Sequence, residues 1–234
     1  MGRDKSLKIW QYSGDQRQLQ SFEFASFEYT KQEMPFDIHP LSCQVAIGMK
    51  GLKIYFIVEG ELVVAYENFE KVCYSLAYTS RGHLLAVGFE SEILLLDPYS
   101  FEIVVRKKNH TGMVKSLQWV ANDRYLVSLC SASSVFVWDV WDDYKPLIDD
   151  ARVGRNCKVT AVAYDAELDL LVFCCTDGYL RVYRQQGLDL CDEFQVDNSE
   201  GVIFTSVLIS KRLQVVIFGT NKGTVRIYLW PLLK

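Results

Sequence analysis

A four-residue phrase returns six times along the chain and limits its fold more than any other feature. It reads "LKIW" at 7–10, "LKIY" at 52–55, "ILLL" at 93–96, "VFVW" at 135–138, "LRVY" at 180–183 and "VRIY" at 225–228. The closing residues Trp10, Tyr55, Leu96, Trp138, Tyr183 and Tyr228 stand 45, 41, 42, 45 and 45 positions apart. The first and third letters are aliphatic in every copy, and the last is aromatic in five. A fixed period in the forties marks a repeat architecture, in which each unit buries its apolar faces against its neighbours.

The other strands of each period can be placed around that phrase. An inner strand comes first, as "VCYSLAY" (72–78), "VKSLQWV" (114–120), "VTAVAYD" (159–165) and "IFTSVLI" (203–209). A short, nearly continuous apolar run follows: "QVAIG", "LLAVGF", "YLVSLC", "LLVFCC" and "QVVIFG". Such a run reads as a strand buried on both faces. The aromatic-ended strand is third, and a more polar outer strand such as "FEIVVRKK" (101–108) or "LDLCDEFQV" (188–196) is fourth. Four antiparallel strands of falling apolarity make a propeller blade. No segment carries the period near 3.6 of an amphipathic helix, so the expected fold is all-β.

The phrase "GRDKSLKIW" at 2–10 is then the turn and third strand of a blade, followed by its outer strand near "LQSFEF" (19–24). The expected organisation is one domain: a partial blade at 1–26 and blades near 27–70, 71–112, 113–157, 158–200 and 201–234. Propellers close at about 4–8 blades, so either a six-bladed ring closes from these pieces or they are part of a seven- to eight-bladed ring; the second, with the chain a fragment of a larger multi-domain protein, is the expectation that the family resemblance given below implies.

Composition narrows the function classes. A formal net charge of −4 argues against nucleic acid and against anionic membrane surfaces as partners. No apolar run approaches the length needed to span a bilayer, and the start has no signal-type apolar stretch. Met1-Gly2 with Ser6 fits the loose myristoylation pattern, but a turn before a strand carries the same letters. The seven cysteines show no C-x-x-C pair and several lie in apolar runs, which suits reduced, buried thiols in a reducing compartment. Vicinal Cys174 and Cys175 end a core strand and point to opposite faces, so they do not chelate one ion together. His39 and His83 sit in inter-strand turns with no nucleophile nearby. No catalytic, cofactor or metal residue is assigned.

The residues resemble the WD-repeat (WD40) family. "NHTG" (109–112) stands where that family has Gly-His, "VWD" (137–139) is its Trp-Asp ending, and His110 precedes Trp138 by 28 residues. The resemblance implies a WD40-type β-propeller whose blades are braced by hydrogen bonds among a buried His, a turn Asp, a second-strand hydroxyl and the Trp. The positions that match are His110, Trp138 and Asp139, with turn aspartates Asp4 and Asp177 in other blades. The turn position of the one blade having both His and Trp is Ala132, so the brace is expected to be decorative or absent there.

"DIHPLSCQVAIG", "GHLLAVGF", "NHTGMVKSLQWVANDRYLVS" and the closing "VIFTSVLISKRLQVVIFGTNKGTVRIYLWPL" are similar to an axonemal branch of the family. That likeness implies a non-catalytic scaffold in the cytoskeleton of the cilium or flagellum. Its implied partners are axonemal proteins of inner dynein arms, regulatory complexes and doublet microtubules, within a large complex. Other readings are a generic cytoplasmic WD scaffold for trafficking or ubiquitin ligation and, from a different class, a propeller hydrolase. One surface is singled out for protein binding: Trp141, Asp142, Asp143 and Tyr144 in "WDVWDDYKPLIDD", where acidic residues surround aromatics suited to anchoring a basic partner segment. "RKKNH" (106–110) reads as a solvated basic turn.

Overall fold

The computed structural model describes residues 6–13, 18–26, 34–48, 50–59, 61–68, 71–152, 157–184, 189–195 and 201–232. Among them every regular element is a strand. The chain divides into two compact units, one of residues 1–90 with 94–106 and one of 91–93 with 107–234.

In the first unit, β1 (Ser6–Ser13) pairs antiparallel with β2 (Gln18–Ser26). A four-stranded sheet follows in the order β3 (Phe36–Ile38), β4 (Gln44–Gly48), β5 (Leu52–Val58), β6 (Glu61–Asn68). The next sheet holds β7 (Ser75–Tyr78), β8 (Leu85–Gly88), β9 (Ile93–Leu96) and β10 (Ile103–Lys107). Between these sheets Ala46, Leu52, Ile54, Leu85, Val87 and Leu96 form one buried cluster. β4 and β8 are buried at every position, as their nearly continuous apolar runs require. The "VCYSLAY" segment becomes a ladder strand only from Ser75. Its start crosses so close to Gly48 that a Cβ there would lie 2.6 Å from the Cys73 sulfur.

Among the described residues the second unit has three sheets. They are β11 (Val114–Val120), β12 (Tyr125–Cys130), β13 (Ser134–Asp139) and β14 (Lys145–Arg152); β15 (Val159–Asp165), β16 (Leu170–Cys175), β17 (Tyr179–Arg184) and β18 (Asp189–Gln195); and β19 (Phe204–Ser210), β20 (Val215–Thr220) and β21 (Val225–Leu229). The middle sheet is filled on both sides. Leu171, Phe173 and Cys175 meet Val127, Val135 and Val137 on one face. Leu170, Val172 and Cys174 meet Phe204, Val216 and Phe218 on the other. Adjacent residues of β16 thus feed opposite cores, the period-2 geometry of a strand buried on both faces.

The last sheet departs from the expectation of full burial. In β20 only Val216, Phe218 and Thr220 are buried, because the sheet is covered on one face alone. On its other face Leu208, Ile217 and Ile227 lie in one cross-strand row, with Ile227 61% and Leu229 79% exposed.

Candidate functional site

Three of the four members of the brace expected to be decorative or absent are joined by hydrogen bonds, the turn Asp being replaced by Ala132. Ser128, fully buried on β12, sits opposite Phe136 of β13. Its Oγ accepts the Trp138 indole N–H at 2.9 Å and lies 2.8 Å from His110 Nε2. The imidazole stands edge-on to Phe136, which stacks on Trp138 at an interplanar angle of 12°. Alanine at 132 removes one participant from the brace, but the hydroxyl still joins indole to imidazole in a site where neither can turn to water. The serine was visible in "YLVSLC"; what sequence alone lacks is the knowledge that it faces both rings.

The other brace positions go elsewhere. Asp177 holds Arg181 by a bidentate pair, at 2.7 and 3.2 Å, and accepts the Tyr179 N–H. Burial works against its charge, yet the guanidinium and that N–H together keep its carboxyl below the usual carboxylate range. Asp139 accepts Arg124 Nη2 at 3.1 Å and the Trp141 N–H at 3.0 Å, closing the turn that follows β13. Asp4 lies outside the described residues.

That turn, residues 140–144, carries the expected docking surface. Asp143 and Tyr144 take φ values of 51° and 54° in this turn, and Trp141 is 74% exposed. The Arg124 guanidinium lies 5.1 Å from the Trp141 ring centre and 4.9 Å from that of Tyr125. Lys107 Nζ sits 5.9 Å from the Tyr144 ring centre and reaches the Asp143 carbonyl. Asp142 pairs with Lys145 at 3.1 Å, both largely solvent-exposed. The structure thus brings Trp141, Asp142, Asp143 and Tyr144 into one projecting turn whose Asp139 and Asp142 carboxylates are already matched by local cations. Aromatic surface, more than unbalanced negative charge, is what the turn presents.

Two further braces use residues outside the repeated motif. His39 is buried beneath Gly82, with Nε2–H donating to the Gly82 carbonyl at 2.8 Å and Nδ1 accepting the Leu41 and Ser42 N–H groups. Gly82 has φ +69°, and a Cβ there would fall inside the imidazole. Nearby, Asp37 accepts the Tyr78 N–H at 2.7 Å, and Gln44 donates to the Pro98 carbonyl. In the second unit the buried Asp165 accepts Trp230 Nε1–H at 2.8 Å and pairs with Lys211 at 3.3 Å. Burial opposes the Asp165 charge, but Trp230, the Glu167 and Leu168 N–H groups and Lys211 hold its carboxyl below the ordinary range. Nothing local to "DIHP" or "LWPL" announces these contacts, which span 43 and 65 residues.

Cys174 and Cys175 do face opposite cores. Among the described residues no group of three or more His, Cys, Asp or Glu side chains is placed to hold a metal ion.

Four-stranded antiparallel sheets packed face to face, with an imidazole–hydroxyl–indole brace in one of them, are the fold of WD-repeat β-propellers. The chain carries such a repeat: residues 102–139 match the family described as "WD domain, G-beta repeat". Over 230 residues, 98% of its length, it is 24% identical to cilia- and flagella-associated protein 57 of Mus musculus, of which it spans 17%. It is 31% identical over 152 residues to cilia- and flagella-associated protein 52 of Homo sapiens, covering 63% of this chain and 24% of that protein. The fold is similar to a chain in the crystal structure of a mitotic checkpoint complex, with a TM-score of 0.67, 15% identity and coverage of 83% of this chain and 59% of the other.

Proposed function

We propose that the chain is a propeller segment of a non-catalytic scaffold in the axoneme of cilia or flagella. It acts as an adaptor that helps to position inner dynein arms and regulatory complexes on doublet microtubules through protein–protein contacts. The observation that carries this reading is similarity along 98% of the chain to a relative named for cilia and flagella. The structure is compatible with it: rigid stacked sheets display variable turns, and the turn at 140–144 projects an indole ready for burial by a partner.

The blades are placed in this reading near 27–70, 71–112, 113–157, 158–200 and 201–234, after the partial one at 1–26, as parts of a seven- to eight-bladed ring. The open face of β19–β21 supports further blades, since Leu208, Ile217 and Ile227 are the kind of side chains that fill the layer between the other sheets of the unit.

The test is localisation of the tagged full-length protein in ciliated cells, followed by detergent and high-salt extraction of isolated axonemes. The scaffold reading expects the tag along cilia and retained on salt-washed doublets. A tag confined to the cell body, or released wholly with the membrane and matrix fraction, contradicts it.

A further inference from the structure

The cations of the second unit are answered differently at its two ends. At one end the turns 131–133, 176–178 and 221–224 meet the starts of β11, β15 and β19. Ser133 Oγ accepts the Val159 N–H at 3.0 Å, Thr160 Oγ1 donates to the Phe204 carbonyl, and the Asn221 N–H donates to the Ile203 carbonyl at 2.9 Å. Lys108, Lys115, Lys158 and Lys222 are exposed there, and among the described residues none of the four is in an ion pair. Asp177, the carboxylate in these turns, is already held by Arg181. At the opposite end Arg124, Lys145 and Lys211 each face a carboxylate within 3.3 Å. The unanswered lysines therefore make a positive face on a chain whose net charge is −4.

The backbone fixes where these lysines stand. β11, β15 and β19 each carry a bulge at the same level, between Val114 and Ser116, Val159 and Ala161, and Phe204 and Ser206. A bulge re-aims the side chain of its extra residue. In β11 that residue is Lys115, where β15 and β19 have Thr160 and Thr205. Lys158 donates its N–H to Thr176 Oγ1 at 3.1 Å, and its carbonyl accepts the Thr176 N–H at 2.9 Å. Lys222 sits in a turn closed by the Gly223 N–H on the Thr220 carbonyl at 3.1 Å.

We propose that this end of the second unit docks an acidic, extended segment of a partner protein. Complementary charge steers such a segment in and fixes its register. The exposed neighbours of the lysines, among them Asn109, Thr111, Thr176 and Asn221, are small and polar. None of the large exposed apolar side chains lies in these turns, so the surface offers nothing to insert into a bilayer. Nucleic acid is bound through arginine and stacking aromatic rings. Arg181 and Tyr179 at this end instead stack on one another, the guanidinium 5.4 Å from the ring centre and engaged by Asp177 and Glu193.

The whole chain is titrated against a fluorescein-labelled oligoglutamate peptide at low salt and followed by anisotropy, with oligoglutamine, phosphatidylserine vesicles and single-stranded DNA as comparison ligands. Saturable binding of oligoglutamate is expected, weakening as salt is raised, with no binding of the other three. Lys115→Glu, Lys158→Glu and Lys222→Glu are each expected to lower the affinity roughly twofold to fivefold, and the three together at least roughly tenfold. Arg212→Glu, at an exposed position of the opposite end, is expected to leave the affinity unchanged. Absence of binding, a triple variant that binds as tightly as the unaltered chain, an equal loss in Arg212→Glu, or preference for the vesicles or the DNA overturns the proposal. The single variants decide the matter if the triple variant folds poorly, since each replaces one exposed side chain. No outcome bears on the axonemal reading, which is tested separately.

Discussion

Replacing Ser128 by alanine isolates the brace of the second unit. The change deletes one oxygen at a fully buried site and leaves the surrounding volume almost unaltered, so cavity terms are small. What is lost is the acceptor of the Trp138 N–H at 2.9 Å and the contact to His110 Nε2 at 2.8 Å. A buried donor stripped of its acceptor costs about 1–3 kcal/mol. Two rings lose a partner, and relief from desolvating the hydroxyl offsets part of that, so the expected destabilisation is about 2–3 kcal/mol. For a unit of this size the melting temperature falls by roughly 8 °C. The assay is thermal and urea unfolding of the chain followed by tryptophan fluorescence, with Trp138→Phe and the double variant completing a cycle. The coupling energy is expected to reach about 1 kcal/mol. A Ser128→Ala effect below about 0.5 kcal/mol, the range of an ordinary surface change, refutes the view that the brace bears stability.

Gly82→Ala places a methyl group inside the His39 ring on a backbone at φ +69°, and unfolding measurements should show a loss of about 2 kcal/mol or more. Asp165→Asn should destabilise at neutral pH by about 2 kcal/mol, through the weakened contacts to Trp230 and Lys211. Because the folded carboxyl lies below its ordinary value, its contribution is complete above about pH 4 and fades as pH falls through the folded value, so acid titration should bring wild type and variant together. Trp141→Ala with Tyr144→Ala should leave the melting temperature within about 2 °C, while co-precipitation of axonemal proteins by the full-length protein falls severalfold. Unchanged co-precipitation would remove the 140–144 turn from the docking surface.

Strand identity was legible because it depends on local alternation, and the sheets observed run through the aromatic-ended phrases that the sequence repeats. Burial was legible only where both faces are covered. "LLVFCC" and "QVVIFG" look alike as letters, yet β16 is wholly buried and β20 half so, since the difference lies in a neighbour and not in the strand. The same limit governed the braces. Ala132 removes a motif residue and points to a brace that is decorative or absent, whereas Ser128 links His110 to Trp138 through its position on β12. His39 read as a turn residue because its partner Gly82 lies 43 positions away. Trp141 and its neighbours were found as a group, but the cations that answer Asp139 and Asp142 were not, since Arg124 arrives from a different turn.

The most direct test of the scaffold account is a density map of native doublet microtubules compared with doublets from cells lacking this protein. The account predicts that a propeller-sized density, fitted by these sheets, disappears at a fixed axial repeat beside the inner dynein arms. Identical maps from the two sources would contradict it.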